Sequence, residues 1–217
     1  VSTAPMSGHG YDFWLLDLDG TVVDIERPYI HETIGEVGDR LGHEFTDRET
    51  ELLWYGLGNA RETLLDGAGI DPGRFWETFH TVEEPGPRAD STYVYDDAEA
   101  FLSAVEEPVG VVTHCQEYLT TPILSELGIC DQFETVVCCD DQTGWKPDPT
   151  PVQLAMSEMG VGYNGHEGAM AGDHPEDVLA AHNAGLDGIH VSRHERNWEG
   201  DRVLDDRRVS TLADLGV

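Results

Sequence analysis

Lysine is nearly absent from this chain, and basic residues of either kind are few. Of 217 residues, 43 are acidic and 12 are basic, and the basic residues are 11 arginines and the single lysine Lys146. A chain of this length ordinarily carries on the order of ten lysines. A surface with so little positive charge cannot neutralise a nucleic acid backbone or dock on anionic lipids. The composition therefore excludes nucleic acids and membrane surfaces as partners.

The formal net charge of −31 would destabilise a compact state unless dissolved ions screened the repulsion between acidic groups. The chain is nevertheless rich enough in apolar residues to fold, since 39% are hydrophobic and five tryptophans are spread along it. An ordinary acidic protein would not explain why arginine is kept while lysine is lost. We therefore expect a cytoplasmic protein of a halophile that accumulates salt.

Long apolar runs and paired cysteines are also missing. No run approaches the length of a membrane-spanning helix, and the first ten residues, VSTAPMSGHG, lack the basic start and apolar stretch of a secretion signal. We expect residues 1–10 to form a flexible tail. The four cysteines show neither a Cys-x-x-Cys pair nor a regular ladder of spacings, so the sequence predicts neither a zinc site nor a disulfide scaffold. The cysteines are Cys115, Cys130, Cys138 and Cys139.

Short apolar runs alternate with segments of helical periodicity over most of the chain. Each run ends abruptly in polar residues, which is typical of buried parallel strands. The runs lie at 13–19, 109–114, 134–141, 168–173 and 188–192. Three of the intervening helical patterns stop at Gly128, Gly160 and Gly185. The pattern predicts an α/β fold with an open, doubly wound parallel sheet.

Residues 24–95 break this alternation, because they contain no convincing strand. Instead they predict about four consecutive helices, with a capping box at Thr46 and Glu49 and a helix opening at Asp71-Pro72. The turn-rich stretch 83–92 closes this region. We expect an inserted α-helical cap over residues 24–92 and a Rossmann-like core formed by residues 11–23 and 93–217.

Polar residues at the ends of three predicted strands carry the chemistry. Asp17 and Asp19 follow the first strand, Thr113 ends the second, and Asp173 follows the fourth. In an open parallel sheet, ligands bind at the carboxyl ends of the strands, so these side chains are expected at one crevice. Their convergence is the argument, since each motif taken alone is also a common turn or helix cap.

Taken together and in this order, the motifs resemble the haloacid dehalogenase superfamily of phosphohydrolases over almost the entire chain. The resemblance is carried by Asp17-Leu18-Asp19-Gly20-Thr21, by Val111-Val112-Thr113, by Lys146-Pro147-Asp148-Pro149, and by Gly172-Asp173-His174-Pro175-Glu176-Asp177. The helical insert is similar to the small α-helical cap of phosphoglycolate phosphatases, β-phosphoglucomutases and 2-haloacid dehalogenases.

The resemblance implies a covalent phosphatase mechanism that depends on Mg²⁺. Asp17 matches a nucleophile that forms an acyl-phosphate, and Asp19 matches the acid that protonates the leaving alkoxide and then activates water. Mg²⁺ would be held by the side chains of Asp17 and Asp173 and by the main-chain carbonyl of Asp19. Asp177 would lie behind these ligands or hold a metal-bound water, although a plain carboxylate in a helix turn is an equally good interpretation.

The resemblance also implies how phosphate and substrate are held. Thr113 and the backbone N–H groups near Gly20 and Thr21 would donate to phosphoryl oxygens, and Lys146 would supply the fixed positive charge. A solvated loop lysine is the alternative for Lys146, but a chain that has lost every other lysine favours a chemical role. His114 stands where many relatives carry Asn, and its imidazole could contact either phosphate or a residue of the cap.

Two residues of the predicted cap, Asn59 and Arg61, lie in a segment similar to the cap loop that faces the active site in phosphoglycolate phosphatase and phosphoglucomutase relatives, and we expect the cap to select the substrate. Arg61 could clamp a carboxylate or second phosphate, and an exposed helix arginine is at least as good an interpretation.

The leading hypothesis is a Mg²⁺-dependent phosphatase of a small phosphorylated metabolite, similar to phosphoglycolate phosphatase. A phosphosugar mutase would return the phosphoryl group to substrate instead of water. A 2-haloacid dehalogenase is disfavoured by Asp19, because dehalogenation needs no leaving-group acid. A binding protein on a catalytically inactive scaffold is disfavoured because Asp17, Asp19, Thr113, Lys146 and Asp173 all remain.

Overall fold

A computed structural model describes residues 10–56, 58–162, 165–193 and 203–216 of the chain. Six strands form one sheet: β1 (Phe13–Leu16), β4 (Val109–Thr113), β5 (Thr135–Cys138), β6 (Gly168–Gly172), β7 (Asp187–Val191) and β8 (Arg207–Val209). Their spatial order is β5-β4-β1-β6-β7-β8, and every neighbouring pair is parallel. This confirms the predicted α/β fold with a parallel sheet. Residues 1–9 of the expected tail lie outside the described residues.

Helices connect the strands, and most of their ends follow from the sequence. They are α1 (Arg27–Leu41), α2 (Asp47–Tyr55), α3 (Gly58–Ala68), α4 (Pro72–Val82), α5 (Pro85–Asp90), α6 (Asp96–Ala104), α7 (Glu117–Glu126), α8 (Thr150–Met159) and α9 (Pro175–Ala184), with 3₁₀ turns at Cys130–Gln132 and Leu212–Leu215. The predicted capping box of Thr46 and Glu49 begins α2, and the Asp71 side chain accepts from the Arg74 N–H at the start of α4. Gly160 and Gly185 end α8 and α9 in the left-handed conformation.

Two features of the inserted region differ from the sequence expectation. Short strands β2 (Val23–Ile25) and β3 (Thr92–Val94) pair with each other where no strand was expected. The stretch 83–92, expected as turns, contains helix α5, which makes five helices in this region. Pro85 explains the second difference, because a proline at the first helical position starts a helix as readily as it marks a turn.

The described residues divide into two compact units. The sheet unit comprises those within Val1–Asp24, Val94–Glu117 and Ile129–Val217, and the helical unit comprises those within Ile25–Tyr93 and Tyr118–Gly128. Each unit has its own apolar core. Buried side chains of the sheet unit include Phe13, Leu15, Val112, Val152 and Met170, and those of the helical unit include Ile34, Val37, Leu53, Leu65 and Phe75.

Few of the acidic side chains are buried. Among the described residues, the buried acids are Asp17, Asp24, Glu83, Asp173 and Asp177, and the remaining acids are partly or fully exposed. No helix in the described part of the chain is long and apolar enough to cross a membrane.

Because most of the 43 acids lie at the surface, we expect added KCl to stabilise the fold by screening their repulsion. A gain of about 2 kcal/mol in the free energy of unfolding raises the Tm of a chain this long by roughly 4–8 °C. Thermal unfolding followed by circular dichroism, once in dilute buffer and once in molar KCl, measures this shift in Tm. Sucrose, which stabilises without screening, serves as the control. An unchanged Tm in KCl would show that surface repulsion is not limiting.

Candidate active site

Three neighbouring strands of the sheet unit deliver polar side chains to one edge. Strand β1 lies between β4 and β6, with Leu16 in register with Val111 on one side and Ala171 on the other. Asp17 follows β1 directly, and its N–H donates to the Ala171 carbonyl at 2.9 Å. Thr113 ends β4, and Asp173 follows β6. Parallel strands end at the same edge, so the predicted convergence has a structural basis.

Lys146 lies at the centre of this edge, in the loop between β5 and α8. Its side chain is only 2% exposed, and its Nζ lies 2.6 Å from Asp17 Oδ1 and 2.6 Å from Asp177 Oδ1. The Nζ also donates to the Val112 main-chain oxygen at 3.0 Å. An ammonium group has three hydrogens, so the three protein acceptors match its whole donor capacity. Lys146 therefore orients Asp17, and a hydrogen bond from it to phosphate requires one of these contacts to exchange.

Three buried carboxylates cluster at this edge, and two of them contact the single ammonium. Asp17, Asp173 and Asp177 each offer one oxygen, and these oxygens lie within 4.8 Å of one another. Three negative charges against one positive charge leave an excess that a buried site does not tolerate without a further cation. Closely spaced carboxylate oxygens are the ligands that Mg²⁺ prefers, so this donor set fits a hard divalent cation.

The electrostatics of the cluster follow from burial and from this charge count. Burial raises the pKa of the Asp17 carboxyl well above its ordinary value, Lys146 opposes that rise, and the carboxylates of Asp177 and Asp173 add to it. For Lys146, burial lowers the pKa, but Asp17 and Asp177 outweigh it and hold the ammonium charged. Burial acts against ionisation of Asp177 too, yet Lys146 and His174 keep its pKa below the ordinary value.

Two glycines make room for the carboxylates. A Cβ added to Gly20, whose φ is +82°, would lie 2.5 Å from Asp173 Oδ2. A Cβ added to Gly172 would lie 2.2 Å from Asp177 Oδ2. Both distances are far below any van der Waals contact, so a side chain at either position would clash with a carboxylate of the site. Steric room, and not only turn formation, therefore explains why glycine occupies positions 20 and 172.

Thr113 is buried, and its Oγ1 accepts from the Cys115 N–H at 3.0 Å. The hydroxyl hydrogen is not needed for that bond and is the donor expected from the sequence. The neighbouring His114 packs its ring against Trp145, with ring centroids 5.5 Å apart. His114 and Trp145 directly adjoin Thr113 and Lys146 in the chain, so a pair of rings borders the candidate site.

In the turn after Asp17, the N–H groups of Gly20 and Thr21 donate hydrogen bonds within the turn, although N–H groups in this region were expected to bind phosphate. Gly20 N–H donates to the Val23 carbonyl at 2.7 Å, and Thr21 N–H donates to the Leu18 carbonyl at 3.3 Å. Asp19 bridges to Val23 in the same turn. These bonds count against the expected donor role of the two amides, because each N–H has one hydrogen and already donates it inside the turn.

The structure adds two residues that sequence reasoning passed over. His190 is buried on β7 next to Gly172, and its Nε2 lies 3.1 Å from the main-chain oxygen of Asp173, so Nε2 carries the donated hydrogen. The Asn183 side chain donates to the Pro147 carbonyl at 2.9 Å and ties α9 to the Lys146 loop. The only sequence signal for His190 was its position within an apolar strand. That position predicts a packing role as readily as a hydrogen bond to the main chain of Asp173.

The two cap candidates lie in the helical unit. Arg61 donates to the Trp54 carbonyl at 2.6 Å, and its guanidinium carbon lies 5.6 Å from the centre of the Trp76 ring. Asn59 is exposed, and its main-chain carbonyl accepts from Thr63 Oγ1 at 2.7 Å.

Comparisons with known proteins identify the family of this chain. The family model described as haloacid dehalogenase-like hydrolase matches residues 14–191. The chain belongs to the haloacid dehalogenase-like hydrolase family. A phosphoglycolate phosphatase of Nitrosococcus oceani is 32% identical over 179 residues, covering 77% of each chain. An N-acetylmuramic acid 6-phosphate phosphatase of Pseudomonas aeruginosa is 30% identical over 218 residues, covering 89% of this chain and 90% of the relative.

Solved structures share the fold of this hydrolase. A crystal structure of a candidate phosphoglycolate phosphatase from Lactobacillus plantarum superposes with a TM-score of 0.77 at 20% identity, covering 95% of this chain and 98% of the other. The predicted fold and the predicted class, an enzyme of the haloacid dehalogenase family, are therefore confirmed. The roles assigned to individual residues stay predictions.

The role of Gly172 is testable in this hydrolase by Gly172→Ala. The added methyl group must displace Asp177 from Lys146, so we expect the free energy of unfolding to fall by about 1–3 kcal/mol. Urea unfolding measures it. Gly35→Ala is the matched control, since a Cβ at that exposed helix position meets nothing within 4 Å and should leave stability equal or higher. Equal stability of both variants would contradict the steric role.

Replacing Lys146 by methionine tests the buried charge cluster. Lys146→Met leaves Asp17 and Asp177 without their ammonium, so we expect a loss of roughly 3–5 kcal/mol in the free energy of unfolding. The double variant Lys146→Met/Asp177→Asn should regain part of this loss, because one unpaired charge is removed. Urea unfolding of both variants checks this, and a double variant less stable than Lys146→Met would show that charge is not the cause.

Proposed function

We propose that this hydrolase is a Mg²⁺-dependent phosphatase that cleaves a small phosphate monoester through an aspartyl-phosphate intermediate. One observation carries the proposal: Asp17 is held by Lys146 at 2.6 Å beside two further buried carboxylates. That arrangement orients a nucleophile and provides oxygen ligands for a hard cation at the same place. The family membership and the phosphatases among its relatives support the same reaction class.

In the proposed first step, a carboxylate oxygen of Asp17 attacks phosphorus, and the bond between phosphorus and the ester oxygen breaks. Asp19 gives its proton to the departing alkoxide. Lys146 holds Asp17 in one orientation during this step, since its ammonium bridges Asp17, Asp177 and the Val112 carbonyl. We expect the Thr113 hydroxyl to donate to a phosphoryl oxygen, with His114 as a further candidate for contact with the same group.

In the second step, water attacks the phosphorus of the acyl-phosphate. Asp19, now ionised, takes a proton from that water, and the bond between phosphorus and Asp17 breaks. Free phosphate leaves and both aspartates return to their starting states. Asp19 thus acts as acid and then as base, which is the property that separates this reaction from dehalogenation.

Asp17, Asp173 and the main-chain carbonyl of Asp19 would hold the Mg²⁺ ion, which when bound offsets the negative charge of the nucleophile and the phosphate. The raised pKa of Asp17 supports this assignment, because a carboxyl group so placed among other carboxylates needs a cation to stay ionised. Asp177 belongs to the same cluster, but its contact with Lys146 assigns it to holding the ammonium in place.

We assign substrate selection to the predicted cap, residues 24–92, with Arg61 and Asn59 as its candidate residues. Arg61 is held by its bond to Trp54 and its packing on Trp76, so its charge has a defined position within the helical unit. The phosphoglycolate phosphatases among the relatives make phosphoglycolate the first ester to test. The acidic composition supports a working environment rich in salt, in the cytoplasm of a halophile.

The test is release of phosphate from p-nitrophenyl phosphate and phosphoglycolate in molar KCl with Mg²⁺. Asp17→Asn should lower kcat at least about 10³-fold, because it removes the attacking atom's charge. Asp131→Asn is the matched control, since Asp131 is exposed in the 3₁₀ turn after α7. Chelation of divalent ions should abolish activity, and added Mg²⁺ should restore it.

Two results would contradict the proposal. A folded Asp17→Asn variant as active as the wild type would exclude the covalent step. Conversion of a sugar phosphate into its isomer without release of free phosphate would assign the site to a mutase.

A further inference from the structure

The backbone immediately after Asp19 is held by an arginine from the far end of the chain. Arg193 follows β7, and its Nε and Nη2 donate to the main-chain oxygen of Thr21 at 3.2 and 2.7 Å. Two nitrogens of one guanidinium on a single carbonyl fix both its position and its direction. The Arg193 side chain is 8% exposed, so water competes little for these bonds.

The other side of the same guanidinium is fixed as well. Its Nη1 lies 2.7 and 2.8 Å from the two carboxylate oxygens of Asp97, and its plane lies over the Tyr95 ring, 4.0 Å from the centroid. Asp97 in turn accepts from Thr211 Oγ1 and from the Leu212 N–H, both at 2.6 Å. Arg193 is therefore fixed before any ligand binds, and a flexible ammonium could not reach all these acceptors.

Tyr95 holds the next residues of the same segment. Its N–H donates to the Val22 carbonyl at 3.1 Å, and its hydroxyl donates to Asp24 Oδ2 at 2.6 Å. Arg193 and Tyr95 thus together bond the carbonyls of Thr21 and Val22 and the carboxylate of Asp24. We call Arg193, Asp97 and Tyr95 the loop clamp.

The clamp borders a turn whose other bonds are internal. The Leu18 carbonyl accepts from the N–H groups of Thr21, Val22 and Val23, at distances between 2.9 and 3.3 Å, and Gly20 N–H donates to Val23. Asp19 lies within this turn and bridges to Val23. A displacement at Thr21 or Val22 is therefore transmitted to Asp19 through a few short hydrogen bonds.

We propose that Arg193 is a positioning residue that, through Thr21, fixes the turn carrying Asp19 and so aims the Asp19 carboxyl group at the leaving oxygen. The inference rests on the proposed function for the role of Asp19 and assigns a task to three residues that the reaction itself does not use. General acid catalysis requires the proton donor to lie within hydrogen-bond reach of the leaving oxygen. A loosened turn should therefore slow the reaction most for substrates whose leaving group needs a proton.

The experiment compares Arg193→Lys with Arg208→Lys. Arg208 also pairs with an aspartate, Asp205, at 2.8 Å, but its hydrogen bonds within the described part of the chain reach Asp205 and Val203, and none of them reaches residues 18–23. Amide hydrogen exchange read by NMR reports the turn without reference to activity. We expect exchange at Thr21, Val22 and Val23 to rise about tenfold in Arg193→Lys and to stay at the wild-type rate in Arg208→Lys.

Kinetics with two kinds of ester report on Asp19. An alkyl phosphate has a poor leaving group that needs a proton, whereas p-nitrophenolate leaves without one. The ratio kcat/KM reports the steps up to departure of the leaving group, where Asp19 acts as the acid, and not the later attack of water, which is common to both esters. Arg193→Lys should lower kcat/KM roughly tenfold for the alkyl ester and less than about threefold for p-nitrophenyl phosphate. Asp19→Asn should show the same selectivity in kcat/KM with a larger loss. Asp97→Asn, which weakens the clamp from its other side, replaces Arg193→Lys if that variant fails to fold.

Two outcomes overturn the inference. Amide exchange in the turn that is the same in Arg193→Lys and Arg208→Lys shows that the clamp does not hold it. Equal losses of kcat/KM with both esters show that the clamp does not act through Asp19. If the wild type hydrolyses neither ester, the proposed function fails, and the exchange measurement still decides separately whether Arg193 fixes the turn.

Discussion

The bridge that Lys146 makes between Asp17, Asp177 and the Val112 carbonyl is the interaction on which the site depends. It joins the end of β1, the first turn of α9 and strand β4, which are far apart in the chain. Removing Lys146 leaves the buried carboxylates of Asp17 and Asp177 without their cation, so its contacts stabilise the three elements together. A compact ammonium with three separate donors suits three acceptors in three directions, whereas the flat guanidinium of arginine donates in one plane. This accounts for the survival of one lysine in a chain that otherwise uses arginine.

This protein carries negative charge both at its surface and in a buried cluster, and a different kind of ion would offset each. The exposed acids repel one another through water, and dissolved salt screens that repulsion within a few ångströms. The buried cluster of Asp17, Asp173 and Asp177 is not reached by this screening, and its donor set fits an ion held by direct ligation. Dissolved salt and a ligated divalent cation would therefore act on different charges, and neither would replace the other.

The sequence predicted the sheet and the positions of Asp17, Thr113 and Asp173 at its strand ends because both depend on local patterns. Apolar runs ending in Asp17, Thr113 and Asp173 indicate strand ends, and parallel strands bring those ends to one edge. Pairings could not be predicted in the same way. Nothing local to Lys146 indicates that Asp177 is its second partner, and the reason for Gly172 appears only when the Asp177 carboxylate is seen beside it. Strand β8 escaped prediction because it has three residues, two of them exposed arginines.

The ion pairs and hydrogen bonds that the basic residues already make explain why a divalent cation would be central to the proposed reaction. In the described part of the sheet unit, Lys146 is bonded to Asp17 and Asp177, Arg193 to Asp97, and Arg208 to Asp205. Arg207 donates to the main-chain carbonyls of Asp214 and Leu215. Every lysine and arginine side chain described in that unit is thus engaged, and in the proposed reaction Thr113 would bring only a neutral donor to the phosphate. Most of the charge compensation that this unit offers a phosphate dianion would then come from an ion bound at the carboxylates, which makes the acidity of the site a condition of the proposed chemistry.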